Sequence, residues 1–93
     1  MILGTCRIDL FIPAAGSLKG KRAVVKSLKE RIRHRMNVSI AEVDHQDYWQ
    51  RAALGVAVVS NEKKHADQVL AAVVRLVRSE PRVEMIDIHV EFL

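Results

Sequence analysis

The chain has 93 residues, 49% of them hydrophobic, with 15 Lys or Arg against 11 Asp or Glu. This length suits one domain, residues 1–93, and the composition argues against disorder. No apolar run approaches the roughly 20 residues of a membrane-spanning helix, and residues 1–12 lack the pattern of a signal peptide. We therefore expect a cytoplasmic protein. Cys6 is the single cysteine, so no intrachain disulfide can form.

The positive charge is concentrated in residues 19–35. This segment holds eight Lys or Arg and a single acidic residue, Glu30, which gives it a net charge of +7. The rest of the chain has a net charge of −3. The basic character of the protein therefore belongs to one short segment.

The first half of the chain predicts a strand, a helix and a second strand. Apolar residues alternate along residues 2–12, as in a strand with one buried face. Ser17 is expected to cap a helix over residues 18–36, because its hydroxyl can accept a hydrogen bond from a free amide of the first turn. Asn37 is expected to end this helix in a left-handed conformation, and a β-branched run then predicts a strand over residues 38–43.

The second half predicts the same kinds of element in another order. Residues 51–60 read as a strand that is buried on both faces, since apolar or small side chains occupy both alternating sets. Ser60 or Asn61 is expected to cap a helix over residues 62–78. Residues 83–93 alternate again and predict a last strand.

The predicted order, βαββαβ, indicates a ferredoxin-like α+β fold. In this fold an antiparallel four-stranded sheet has the order 4-1-3-2, and both helices cover one face of it. The other face is open. We expect Leu3, Phe11 and Met85 to make this open face too apolar for a free surface, and we therefore predict a homodimer in which a second copy covers it.

Five basic residues of the first helix repeat at 3-4-3-4 spacing and fall on one side of it, which we expect to lie roughly opposite the core face. We call them the basic stripe: Lys19, Arg22, Lys26, Lys29 and Arg33. A solubilising surface usually alternates charges to gain pairs at i,i+4, whereas the stripe places like charges there. We predict that it binds RNA or a ribonucleoprotein. A solvated helix face and a contact with an acidic protein are the alternatives.

The connection before the third strand is a second candidate site. Its candidate residues are Asp44, His45, Asp47, Trp49 and Arg51. The carboxylates and the imidazole are donors for a divalent metal or for acid–base chemistry, which makes a metal-dependent enzyme or regulator an alternative function. The spacing matches no known ligand pattern, and a structural turn would also use such residues. Trp49 and its neighbour Tyr48 offer stacking surfaces for an unpaired RNA base.

Other chemistry is not indicated. The glycines are scattered and form no phosphate-binding loop, and no cofactor, metal site or catalytic residue is predicted. An RNA-recognition motif would need aromatic side chains on the third strand, which has none. A protein-interaction module that uses the open sheet face is a further alternative.

The sequence resembles the YlxP-like family, a bacterial domain of unknown function. The resemblance covers nearly the whole chain and is strongest over residues 41–52, which read AEVDHQDYWQRA. It is also carried by Ser17-Leu18-Lys19, Val25 to Lys29, and Val58 to Asn61. It implies a cytoplasmic ferredoxin-like domain with no established activity, cofactor or substrate. The resemblance also favours an RNA-related role, because some relatives are encoded among translation and ribosome-maturation genes.

Overall fold

The computed structural model describes all residues, 1–93, and shows the element order βαββαβ. The elements are β1 Ile2–Phe11, α1 Leu18–Arg35, β2 Ser39–Asp44, β3 Arg51–Ser60, α2 Lys63–Arg78 and β4 Glu84–Phe92. The four strands form one antiparallel sheet in the order β2-β3-β1-β4. This is the predicted order counted from the other edge, so the predicted ferredoxin-like plan is confirmed.

The core lies between the two helices and one face of the sheet. Alternate residues of β1, among them Cys6, Ile8 and Leu10, point into it and are at most 2% exposed. From α1, Leu28 and Ile32 meet them and are fully buried. Burial raises the pKa of the Cys6 thiol, so this cysteine serves as a small core residue.

One of the three predicted helix caps is confirmed by the structure. The Ser17 hydroxyl accepts a hydrogen bond from the Gly20 amide at 3.0 Å, which confirms the predicted cap. Asn37 is not left-handed, because α1 ends in the extended residue Met36 and His45 is the one non-glycine residue with positive φ. The predicted closure of α1 at Asn37 was therefore wrong.

The start of α2 also differs from the prediction. Its cap residue is Glu62, which makes no side-chain capping bond. The Ser60 hydroxyl instead accepts a hydrogen bond from the Glu62 amide at 3.1 Å, one step before the helix begins. Neither Ser60 nor Asn61 is the cap, because α2 begins at Lys63, one residue later than predicted.

An irregularity in the pairing of β1 with β4 changes which residues reach the open sheet face. Asp9 pairs with Asp87, but the next residue, Leu10, pairs with Met85, so the register shifts by one residue. Met85 consequently packs against the core and not on the open face, where we expected it. Ile86, the extra residue, is half exposed.

A second irregularity lies where β2 pairs with β3. The register shifts between Glu42 and Asp44, and the intervening Val43 side chain lies over Gly55. A Cβ atom at position 55 would lie 2.6 Å from Val43 Cγ1, so any larger residue there would require the Val43 side chain to move.

Lys21 is the only lysine in the interior of the molecule. It lies on the core side of α1 and is fully buried. Its Nζ contacts Glu42 Oε2 at 2.9 Å and donates to three backbone carbonyls, those of His45 at 2.8 Å, Gln46 at 3.1 Å and Arg51 at 3.2 Å. Four oxygens thus surround three N–H donors, which compensates for the loss of water. Lys21 ties the start of α1 to the β2–β3 connection.

Glu80 ties the other end of α1 to the segment that follows α2. Its carboxylate is 4% exposed and accepts two hydrogen bonds from the Arg82 guanidinium, at 2.8 and 2.9 Å. It also accepts from the Arg82 amide at 3.0 Å and from Arg31 Nη1 at 3.0 Å. These bonds, those of the Arg82 side chain above all, lower the pKa of Glu80 to about 2 despite its burial.

Neither helix is both long and apolar enough to cross a membrane.

Replacing Lys21 tests the buried lysine. We expect Lys21→Met to lower the free energy of unfolding by about 3 kcal/mol, because it leaves the Glu42 carboxylate and three carbonyls without their donor. Glu42→Gln should cost less, since the amide oxygen still accepts from Nζ and the carbonyls keep their bonds. Urea denaturation of the three proteins measures both effects. A Lys21→Met protein as stable as the wild type would show that the four contacts contribute nothing.

The pH dependence of stability tests Glu80. Its folded pKa, about 2, lies below the ordinary value of 4.5, so its contribution is complete above pH 4.5 and is lost as the pH falls towards 2. We expect Glu80→Gln to lower the unfolding free energy at pH 7 by roughly 1–3 kcal/mol, and the difference from wild type to vanish near pH 2. Glu84→Gln, at an exposed carboxylate without an ion pair, is the control and should change little. A pH-independent difference for Glu80→Gln would contradict this assignment.

Candidate nucleic-acid interface

The basic stripe lies on the surface of α1. Lys19, Arg22, Lys26 and Arg33 are exposed and Lys29 is partly exposed. At 1.5 Å per residue, the stripe extends for about 21 Å along the helix. It therefore forms one continuous positive surface.

The sequence suggested that the stripe lies opposite the core. In the structure it lies on the flank of α1. The buried residues of the helix are Lys21, Val25, Leu28 and Ile32. At 100° per residue, the centre of the stripe is about 110° from the centre of this set. Arg33 shows which flank it is, because its Nη2 donates to the Ile40 carbonyl of β2 at 2.8 Å. The stripe thus faces outward beside the β2 edge of the sheet.

The eight Lys and Arg residues of α1 have different roles. Lys21 and Arg31 are bound to Glu42 and Glu80, and both pairs hold the fold together. Within the stripe, Lys26 only approaches Glu30, at 4.0 Å. The cations of α1 that have neither an ion pair nor a side-chain hydrogen bond are Lys19, Arg22, Lys29 and Arg35. Three of these four belong to the stripe, where their charge is available to a ligand.

The β2–β3 connection is held firmly at its backbone. His45 adopts a φ of 62°, and its carbonyl accepts from the Tyr48 amide at 3.1 Å as well as from Lys21. The Gln50 side-chain amide donates to the Pro13 carbonyl at 2.9 Å, and the Gln50 carbonyl accepts from the Ile12 amide at 2.9 Å. The connection is thus fixed to α1 and to the end of β1.

Asp44 and His45 join a charged cluster on the open sheet face. Arg7 of β1 donates to both carboxylate oxygens of Asp9 and to Asp44 Oδ2, each at 3.2 Å. The His45 ring lies 3.7 Å from Asp9 Oδ1 and 3.8 Å from Asp44 Oδ1. The His45 amide, followed by Arg7, lowers the pKa of Asp44, and hydrogen bonds to Asp9 and Asp44 raise the pKa of Arg7.

This cluster does not look like a metal centre. Arg7 already compensates the two carboxylates, and no three His, Cys, Asp or Glu side chains are placed to hold a metal ion. Asp47, the other acidic candidate of the loop, is exposed and contacts none of them. The structure therefore separates the five loop candidates, with Asp44 and His45 in the cluster and the other three outside it.

Trp49 and Arg51 are not part of the core. Trp49 and Tyr48 are 55% and 57% exposed, and neither belongs to the buried core. The Tyr48 ring instead lies 5.2 Å from the His45 ring. Arg51 is partly exposed and makes no ion pair, and its Nε is buried without a hydrogen-bond partner.

The loop and the stripe meet at Lys21. Lys19 and Arg22 lie in the same helical turn as Lys21, whose Nζ contacts the carbonyls of His45 and Arg51 at the two ends of the loop. Lys21 therefore connects the loop to the first turn of the helix that carries the stripe. Lys21 itself was missed as a functional residue, although its position four residues before Val25 and seven before Leu28 places it on the core side of the helix.

Comparisons with known proteins agree with this fold and show a family. Residues 3–90 match the model of a family described as protein of unknown function, DUF503. The chain is 39% identical over 83 residues to the uncharacterised protein YlxP of Bacillus subtilis (strain 168). This match covers 89% of this chain and 90% of that protein.

A similar solved structure is the solution NMR structure of a de novo designed protein with a ferredoxin fold. It has a TM-score of 0.53 and 11% sequence identity, and the match covers 98% of this chain and 86% of the designed one. Because this identity is low, the likeness concerns the fold alone. The match over residues 3–90 and the 39% identity to YlxP show that the chain belongs to the YlxP-like DUF503 family of proteins of unknown function.

Proposed function

We propose that this protein is a cytoplasmic RNA-binding protein, and that it contacts structured RNA or a ribonucleoprotein through the basic stripe. The observation that carries the proposal is the group of three stripe cations, Lys19, Arg22 and Lys29, that have no partner within the protein. Charges of one sign on a rigid surface repel one another, and a bound polyanion reduces this repulsion.

The length of the stripe supports contact with several phosphates. About 21 Å of positive surface is enough to span several phosphate groups of a nucleic acid strand, each of which releases counterions when it is neutralised. Such binding depends on charge and weakens strongly as salt rises. The protein would act by binding, since no set of side chains identifies a reaction.

A structural role for the stripe is the main alternative. Arg33, which donates to the Ile40 carbonyl, partly has such a role. Lys19, Arg22 and Lys29 have none, since each could be replaced without loss of an internal bond. The metal-dependent alternative at Asp44, His45 and Asp47 gains no support from the geometry, because these side chains do not converge.

A charge-reversal pair tests the stripe. We expect Arg22→Glu with Lys29→Glu to lower affinity for a short RNA hairpin at low salt by at least tenfold, because two phosphate contacts become repulsive. The slope of log affinity against log salt should fall by about 2 in magnitude. Fluorescence anisotropy with labelled RNA measures both quantities.

The matched control reverses the same amount of charge on α2. Lys64→Glu with Arg75→Glu replaces two exposed residues without ion pairs. RNA affinity should stay within about twofold of the wild type, because only the net charge of the protein changes. Equal losses in the two double variants would mean that net charge, and not the stripe, governs binding. Unchanged binding in the stripe variant would overturn the proposal.

We also propose that a second copy of the chain covers the open sheet face. The centre of this face is a shallow depression of about 400 Å³, which is lined by small residues, among them Thr5, Ala41 and Ala57, and also by Arg7, His89 and Glu91. Val43 and Val59 stand out beside it with 49% and 64% exposure. A face that carries both a depression and apolar projections is suited to an isologous contact about a two-fold axis.

Sedimentation equilibrium tests this dimer. At micromolar concentration we expect the mass of two chains for the wild type and of one chain for Ala57→Glu, which places a charge in the depression. The thermal midpoint of the variant identifies any loss of folding. A wild-type mass of one chain at these concentrations would contradict the dimer.

A further inference from the structure

The β2–β3 connection presents two neighbouring aromatic side chains to solvent. Trp49 and Tyr48 are each more than half exposed, although burial of such large side chains is normally favourable. Both side chains are therefore accessible to a ligand.

The backbone beneath these side chains is fixed. Lys21 binds the carbonyls of His45, Gln46 and Arg51, and Gln50 is bonded to the end of β1 through both its side chain and its carbonyl. A rigid loop loses little conformational entropy when its side chains bind a ligand. The loop can therefore present the two aromatic side chains to a planar ligand at little entropic cost.

Arg51 adds a free cation two positions after Trp49. Its Nε is buried without an acceptor, and its guanidinium pairs with no acid of the protein. The buried Nε is closed to an outside ligand, but the terminal nitrogens of this partly exposed guanidinium donate to no protein group and are free to bind an anion. Lys19 and Arg22 follow on α1, next to Lys21.

We infer that this loop binds an unpaired nucleotide, whose base stacks on Trp49 and whose phosphate contacts Arg51. The inference rests on the proposed function, because the neighbouring stripe would bind the adjoining phosphates. A flat π-system and a phosphate linked by a sugar match an aromatic side chain beside a free guanidinium. The protein should accordingly prefer RNA that carries a single-stranded segment over RNA that is fully paired.

Two RNA probes distinguish the loop from the stripe: one hairpin with an unpaired 3′ tail and the same hairpin without it. We expect the wild type to bind the tailed hairpin about tenfold more tightly, and Trp49→Ala to lose this preference while it binds the blunt hairpin as before. Trp49→Phe should keep most of the preference, because phenylalanine also stacks. Arg22→Glu with Lys29→Glu should weaken both probes equally.

Trp49 is the only tryptophan, so its fluorescence reports directly on the site. Its emission should be quenched by the tailed hairpin at saturation and remain unchanged with the blunt one. Equal affinity of Trp49→Ala and wild type for the tailed hairpin, or unchanged emission at saturation, would overturn the inference.

The possible failures are separable. If the stripe variant binds RNA normally while Trp49→Ala loses the tail preference, the nucleotide site stands and the stripe proposal fails. If the stripe variant loses affinity while Trp49→Ala behaves as wild type, only the nucleotide site fails. If neither hairpin binds at low salt, both are overturned.

Discussion

The structure depends on the burial of one ammonium group. Lys21 has no water around it, so four oxygen atoms must surround its Nζ, and three of them are backbone carbonyls of the β2–β3 connection. A misplaced carbonyl would leave a buried charge poorly solvated. The lysine therefore fixes the shape of the connection, the left-handed conformation of His45 within it, and its place beside the first turn of α1. Both candidate surfaces take their relative position from this one contact.

Regular periodicity made most of the fold predictable. Alternation along β1 and β3 and the spacing of Leu28 and Ile32 in α1 are properties of single elements, and they identify the buried face without knowledge of the rest of the chain. The order of these elements then limits the sheet to one arrangement. The fold predictions that failed, at Asn37, at the start of α2 and at Met85, concern helix ends and bulges. These depend on contacts between elements, which one local sequence pattern does not describe.

The candidate site was predictable only as separate parts. Equal spacing identified Lys19, Arg22 and Lys29 as neighbours on one helix, but it could not show that Arg31 has a buried partner in Glu80, 49 residues later. Nor could it show that Asp44 and Asp47 diverge, because a turn with one left-handed residue sends successive side chains in different directions. Lys21 could have been found from its place among the core residues of α1. A lysine there requires acceptors, and the nearby connection is rich in free carbonyls.

The β2 edge of the sheet limits how copies of this chain can join through their strands. Arg33 already occupies the outward carbonyl of Ile40, and the bulge at Val43 breaks the regular row of donors and acceptors. Open-ended polymerisation by strand addition needs two matching edges on every copy, so that β2 of one chain can pair with β4 of the next. The Arg33 bond and the bulge make β2 a poor edge for such pairing. The contact that places the stripe beside β2 thus also disfavours strand addition at that edge.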